Sequence, residues 1–313
     1  MPQSQPDNIK EEGKKNISVD GIKTSQKTAA RKTGLVLAMT AVFFAALMAV
    51  GIISSDHLAG AASVKSFGAS EVSVPNFLVI FILATLFFIS LIYFLKLKKI
   101  KRTIFKIIFA LVVFCGSTIF FKIWIGGIFA VLAGAGLSAA WWLYHRVVVQ
   151  NICLLFSMLG AGIFLGNAFL PGSAAFLLLI FSVYDLVAVY VTKHMVVMAK
   201  EMIASGALAA VFIPMDLSGL KVDINRVVTG GEKFLILGGG DIVFPLFFCV
   251  SMAGHYGTAG AMITAIFATA GFCASLYQFF NQRTRRPIPA LPPIAFFSLV
   301  GYAVVLLLNN INN

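Results

Sequence analysis

Two aspartates of this 313-residue chain lie inside long apolar runs, Asp185 in FSVYDLVAVY and Asp241 in FLILGGGDIVFP. Each is the only acid of its run. A carboxylate in hydrocarbon is costly, so an ionisable residue there marks a functional site by default. Two carboxylates a few ångströms apart share one proton. One carboxylate could then activate a water molecule as a general base while the other donates a proton.

The spacing of Asp185 and Asp241 from nearby lysines predicts that they lie at one depth. Asp185 lies eight residues before Lys193, and Asp241 lies eight residues after Lys233. If both runs are helical, a rise of about 1.5 Å per residue puts each carboxylate about 12 Å below the same membrane face. We therefore expect a paired carboxylate site within a membrane.

The composition predicts an all-α membrane protein. Hydrophobic residues make up 59% of the chain and charged residues only 12%, too little polar material to cover a soluble globule. A helix needs about 20 apolar residues to cross the hydrocarbon core. Nine such runs are predicted as transmembrane helices, at 34–55, 75–95, 103–121, 123–144, 148–169, 172–195, 234–254, 257–280 and 292–311.

The net charge of +12 is distributed unevenly over the predicted loops. With a cytoplasmic N-terminus, 22 of the 24 lysines and arginines lie on the inside, and only Lys65 and Lys122 lie outside. This asymmetry predicts a cytoplasmic N-terminus and an external C-terminus. The basic residues are expected to orient helices and meet anionic lipid headgroups. No basic face is interleaved with aromatic residues, so we expect no nucleic-acid partner.

Four segments follow from this pattern: a disordered basic cytoplasmic tail at 1–33, spans one to six at 34–195, a cytoplasmic loop at 196–233, and spans seven to nine at 234–311. The loop contains an apolar stretch, 204–214, that is too short to span. It could cover the site as a gate or lie along the membrane surface. The four cysteines and four histidines share no ligand spacing, so neither a metal site nor a cofactor is expected.

Three sequence features flank the aspartates. Gly238, Gly239 and Gly240 precede Asp241, and their lack of side chains lets backbone from another segment approach the carboxylate. Tyr184 precedes Asp185, and its hydroxyl could bond near the site or point at a neighbouring helix. The proline-rich sequence 287–293 could run extended at the membrane edge or simply start the last helix.

These features together resemble the motifs of the presenilin and signal peptide peptidase family of intramembrane aspartyl proteases. The resemblance rests on Tyr184-Asp185, on Gly238-Gly239-Gly240-Asp241, and on Pro289-Ala290-Leu291 before the last span. It implies that Asp185 and Asp241 are catalytic. It further implies that the active site is shaped, or the substrate bound, by Tyr184, Gly238, Gly240, Pro289, Ala290 and Leu291.

The same resemblance predicts the partners and the location of the protein. Substrates would be transmembrane segments of other proteins, and the location would be the lipid bilayer, expected to be the cell membrane. The predicted orientation is similar to that of presenilins, and the compact chain looks most like an archaeal presenilin homologue. Presenilins are cut autoproteolytically in the loop after span six. Nothing in the sequence requires accessory subunits.

A proton- or cation-coupled transporter or channel is the alternative, because intramembrane aspartates also mark ion pathways. Inverted repeats would support a transporter, and the two halves of this sequence do not match. A purely structural scaffold is less favoured, because it has no use for two acids in apolar runs.

Overall fold

The structure is a computed structural model that describes residues 19–60, 73–94, 98–192, 208–214, 222, 234–282 and 288–312. The predictions for residues 1–18 and for most of the 193–233 loop lie outside these residues. The chain divides into two compact units, Met1–Met39 and Thr40–Asn313. All contacts described below lie within the second unit.

The described residues are mostly helical, as the composition predicted. The α-helices are α1 (Val19–Gly60), α2 (Val74–Phe94), α3 (Lys98–Trp124), α4 (Gly127–Leu143), α5 (Val147–Ala168), α6 (Pro171–Leu186), α7 (Gly240–Phe280) and α8 (Leu291–Asn312). A π-helical turn, Val187–Val191, extends α6. Helix α1 begins at Val19, before the predicted first span.

Six of the described helical segments are long and apolar enough to cross a membrane. Two apolar segments, Val74–Phe87 and Gly127–Leu143, are shorter. The longest of the six membrane-crossing candidates is α7, which has 41 residues and is broken at Gly257, where φ is 70°. That backbone region suits glycine, so the break divides α7 near the boundary between predicted spans seven and eight. The count of nine crossings stays a prediction.

A two-stranded antiparallel sheet precedes α7, and the sequence did not predict it. Strand β1 (Ala210–Pro214) pairs with β2 (Phe234–Gly238), with Ala210 opposite Gly238 and Phe212 opposite Ile236. Span seven was expected to begin as a helix at 234, and that boundary is wrong. Residues 234–238 are an apolar strand, and the glycines that follow delay helix formation until Gly240.

Small residues let the central helices approach closely. A Cβ at Gly162 would lie 2.6 Å from the Leu246 side chain, and one at Gly166 would lie 2.5 Å from that of Val250. These two glycines form a GxxxG pair, and their contacts bring α5 against α7. Phe44 of α1 stacks on Phe272 of α7 with ring centroids 4.3 Å apart. Helix α7 therefore packs in the centre of the unit.

Candidate active site

Asp185 lies on the last turn of α6 and is only 9% exposed. The helix continues into the π-helical turn directly after it, where the N–H of Thr192 donates to the carbonyl of Val187 over 2.9 Å. Single π turns inside helices are frequent at functional sites. Asp185 thus lies at the end of a regular α-helix, directly before the π-helical turn.

The carboxylate of Asp185 accepts a hydrogen bond from the main-chain N–H of Leu291 over 3.2 Å. Leu291 is the first residue of α8, and Pro292 and Pro293 follow it. Prolines have no N–H, so they contribute no donor to the first turn of α8. The positive end of the helix dipole stabilises a negative charge at this position.

Asp241 lies in the first turn of α7, immediately after the sheet. Its carboxylate accepts a hydrogen bond from the N–H of Gly238 and is close enough to Asp185 for a direct charge–charge interaction. A Cβ at Gly238 would lie 3.0 Å from Oδ2 of Asp241. The two aspartates therefore lie near enough for their charges to interact, each beside the N-terminal end of a helix.

An aromatic pair joins the two helices beside the aspartates. Phe181, one turn before Asp185, stacks on Phe244 with centroids 4.2 Å apart and planes 25° apart. The same Phe244 ring lies against Gly240, where a Cβ would be 3.2 Å from it. Stacked rings of this kind contribute about 0.5–1.5 kcal/mol beyond their buried area. The stack thus helps to fix α6 relative to α7 at the level of the site.

The middle glycine of the triplet, Gly239, is where a separate backbone segment comes close. Its N–H donates to the carbonyl of Ala209 over 3.0 Å, just before β1. A Cβ at Gly239 would lie 3.1 Å from that carbonyl and 2.7 Å from the end of the Met158 side chain. The approach expected near the glycines is therefore observed at Gly239, which had not been singled out.

The Pro289–Leu291 segment is held by the second half of α7. The hydroxyl of Ser275 donates to the carbonyl of Ala290 over 2.9 Å. A Cβ at Gly271, one turn earlier, would lie 2.6 Å from the carbonyl of Pro293. Gly271 thus lets the start of α8 lie directly on α7 while Ser275 fixes the residue before it.

The proline-rich segment combines both structures that the sequence allowed. Residues 288–290 are not helical, and Leu291 starts α8 with prolines in the first turn. Pro289 is buried and Leu291 is 3% exposed. The segment contacts Asp185 through the N–H of Leu291.

The remaining predicted site residue, Tyr184, lies at the margin of the site. Its ring packs edge-on against Phe81 of α2 with centroids 6.0 Å apart, and 41% of the side chain is exposed. The ring therefore packs on the neighbouring helix, which was one of the two alternatives considered for Tyr184. A role for its hydroxyl at the site stays a prediction.

The predicted depth of Asp241 rested on a helix that the structure replaces with a strand. Residues 234–238 rise about 3.3 Å each as a strand, against 1.5 Å in a helix, so spacing from Lys233 does not measure depth. The aspartates nevertheless lie near enough for their charges to interact.

Sequence reasoning missed Ser275 and the amides Gln150 and Asn151, although two adjacent amides at the start of an apolar run were a visible signal.

Comparison with known proteins places this chain in a family. The family model described as signal-peptide peptidase, presenilin aspartyl protease matches residues 35–311. The chain belongs to this family, and it is an intramembrane aspartic protease and a multi-pass integral membrane protein. The transporter alternative is not favoured.

A solved structure of a presenilin family intramembrane aspartate protease, in space group C222, is similar in fold. Its TM-score is 0.53 at 18% sequence identity, and the match covers 86% of this chain and 95% of that one. No curated protein matches the sequence.

Proposed function

We propose that Asp185 and Asp241 are the catalytic pair that hydrolyses peptide bonds within transmembrane segments of substrate proteins. The observation that carries the proposal is the placement of two aspartates at the end of one apolar helix and the start of the next described one, near enough for their charges to interact. Each carboxylate accepts a main-chain hydrogen bond, from Leu291 or from Gly238. These bonds orient both groups before any substrate binds.

The pair carries out the reaction by moving one proton through two carboxyl groups. The ionised carboxyl takes a proton from a water molecule, and the resulting hydroxide adds to the scissile carbonyl carbon. The protonated carboxyl donates to the carbonyl oxygen as charge develops on it. The second carboxylate then takes back the proton from that oxygen, so the C=O reforms and the C–N bond breaks. The leaving amine takes from the first carboxyl the proton that water gave up, and the pair returns to its starting state. The partial exposure of Asp241 leaves a path for that water.

A helical substrate must unwind before its carbonyl reaches the pair, and the sheet supplies an edge for the unwound strand. Both main-chain groups of Phe212 bond to the side chain of Asn151, so they point away from β2. Ile236 lies opposite Phe212 in a non-hydrogen-bonded pair, so its N–H and C=O point away from β1. Gly238, two residues after Ile236, also has its N–H on the side away from β1, and this N–H donates to the Asp241 carboxylate. An added strand along β2 therefore leads to the carboxylates.

The described sheet has two strands, so β2 has no further strand beside it among the described residues. Ile236 is 49% exposed. The apolar side chains of a transmembrane substrate suit such an edge, because main-chain pairing tolerates many side chains. We propose on this basis that β2 recognises extended, apolar peptide without strict sequence preference.

The membrane arrangement proposed with this activity has nine crossings, with the N-terminus cytoplasmic and the C-terminus external. It combines the six long apolar segments, the two shorter ones and the break at Gly257 with the distribution of basic residues. A cytoplasmic N-terminal segment, a cytoplasmic loop between spans six and seven, a location in the cell membrane and activity without accessory subunits belong to the same proposal. A reporter after Asn313 should be external.

The experiment that tests the proposed function is cleavage of a single-span substrate by detergent-purified protein. The wild-type protein should cut within the span and be blocked by a transition-state-analogue inhibitor of aspartyl proteases. Asp185→Asn should lose cleavage while remaining folded. Asp56→Asn, at an exposed acid near the end of α1, should cleave at the wild-type rate. Coupled ion flux lost in Asp185→Asn, with no cleavage by the wild type, would instead establish the transporter.

A further inference from the structure

The outer edge of β1 is occupied by a side chain that imitates a peptide group. Nδ2 of Asn151 on α5 donates to the carbonyl of Phe212 over 2.7 Å. The N–H of Phe212 donates to Oδ1 of Asn151 over 2.9 Å. One side-chain amide thus satisfies the donor and the acceptor that a third strand would otherwise pair with.

The neighbouring positions on this edge are also engaged. Nε2 of Gln150 donates to the carbonyl of Leu208 over 2.6 Å, and the N–H of Ala210 donates to the same carbonyl over 2.9 Å. The indole N–H of Trp141 donates to Oε1 of Gln150, so both ends of this amide are bonded. Pro214 has no N–H to offer. An incoming strand therefore meets an edge whose N–H groups are bonded or missing.

Apolar packing fixes the same strand to α5. Val147, Leu208, Ala210 and Phe212 form one buried cluster at the start of α5. The N–H of Val147 also donates to the carbonyl of Val222 over 3.1 Å. The amides are therefore held against β1 by a surrounding core.

We propose that Asn151, supported by Gln150, is a positioning residue that restricts a substrate strand to the β2 edge and sets its register against Asp241. This deepens the proposed function and rests on it. The register matters because a shift of one residue along β2 presents a different peptide bond to the aspartates. Asn151 does not touch the reacting atoms; it acts by keeping β1 closed and the sheet fixed to α5.

The first test compares cleavage positions in single variants at the two ends of α5. Asn151→Leu keeps the branched shape of the side chain but loses both hydrogen bonds, whereas Asn151→Asp keeps the acceptor and loses the donor. Asn167→Leu is the matched control, because Asn167 is also half-buried and bonds to Ile163 of its own helix and to Ser55. Mass spectrometry of the products of one single-span substrate gives the share cut at each bond.

Asn151→Leu should raise the share of secondary cleavage positions about tenfold, as expected for the loss of a pair of buried hydrogen bonds. Asn151→Asp should give an intermediate pattern, and Asn167→Leu should keep the wild-type pattern. An unchanged pattern in folded Asn151→Leu, or the same change in Asn167→Leu, would overturn the assignment of Asn151.

The second test measures strand placement without cleavage, so it separates this proposal from the proposed function. In inactive Asp241→Asn protein lacking the four native cysteines, a cysteine is introduced by Ile236→Cys on β2 or Ile213→Cys on β1. A substrate with one cysteine in its span should crosslink to position 236 alone, and to both positions once Asn151→Leu is added. Crosslinking to position 213 with Asn151 intact would overturn the proposal. Correct crosslinking without cleavage by the wild type would overturn only the catalytic pair.

Discussion

The main-chain N–H of Leu291 donates a hydrogen bond to the Asp185 carboxylate, joining the start of α8 to the end of α6. Through this contact a backbone N–H, not a side chain, orients the Asp185 carboxylate. Pro292 and Pro293 have no N–H, so Leu291 provides the N–H with which the first turn of α8 bonds to Asp185. The segment Pro289–Leu291 thus contributes through its backbone as well as its side chains.

Removing that N–H should reduce turnover more than removing the side chain. Leu291→Pro deletes the donor at a helix position where proline is well tolerated. Leu291→Ala trims the buried side chain and keeps the donor. A hydrogen bond to a charged group contributes about 1.5–3 kcal/mol, so kcat should fall about tenfold to a hundredfold further in Leu291→Pro. Equal kcat values in the two folded variants would show that the N–H is not used.

Ser275 should affect catalysis, whereas Ser298 should affect only stability. Both serines are buried and lie within hydrogen-bond distance of a carbonyl one turn earlier in their own helix, Gly271 for Ser275 and Ile294 for Ser298. Only Ser275 also reaches across, to the carbonyl of Ala290. Ser275→Ala should lower kcat several-fold with little change in KM, because Ala290 and Leu291 lose their anchor. Ser298→Ala should lower the thermal midpoint and leave kcat near wild type. Identical kinetics for both variants would show that Ser275 contributes to packing only and does not position the Ala290–Leu291 segment for catalysis.

Gly238 should resist substitution because of the carboxylate beside it. The Cβ in Gly238→Ala would lie 3.0 Å from Oδ2 of Asp241, so the carboxylate must shift by a few tenths of an ångström. A displaced catalytic carboxylate raises the activation barrier, and we expect kcat to fall by at least about tenfold. Gly172→Ala on α6 is the control, since its Cβ would meet nothing within 4 Å. Full activity in Gly238→Ala would mean that this contact does not orient Asp241.

The sequence was sufficient to predict the membrane class and the two aspartates. The cost of an acid in an apolar run is a local property, so Asp185 and Asp241 stood out without any knowledge of the fold. Leu291 and Gly238 were predicted from motif resemblance, and the structure gives them specific contacts with the aspartates.

The sheet and its supports could not be predicted because they depend on contacts between distant segments. Residues 234–238 are as apolar as a membrane helix, and only their pairing with 210–214 makes them a strand. Asn151 and Ser275 are ordinary polar residues until β1 and Ala290 are placed against them. Their roles are therefore properties of the tertiary structure.

The most direct measurement of the central claim is the cleavage rate of a single-span substrate by Asp185→Ala, Asp241→Ala and the double variant, each confirmed to be folded. Both carboxyl groups take part in one proton cycle, so each single variant should abolish cleavage and the double variant should be no slower than either. Substantial cleavage by either single variant would contradict the assignment of Asp185 and Asp241 as a catalytic pair.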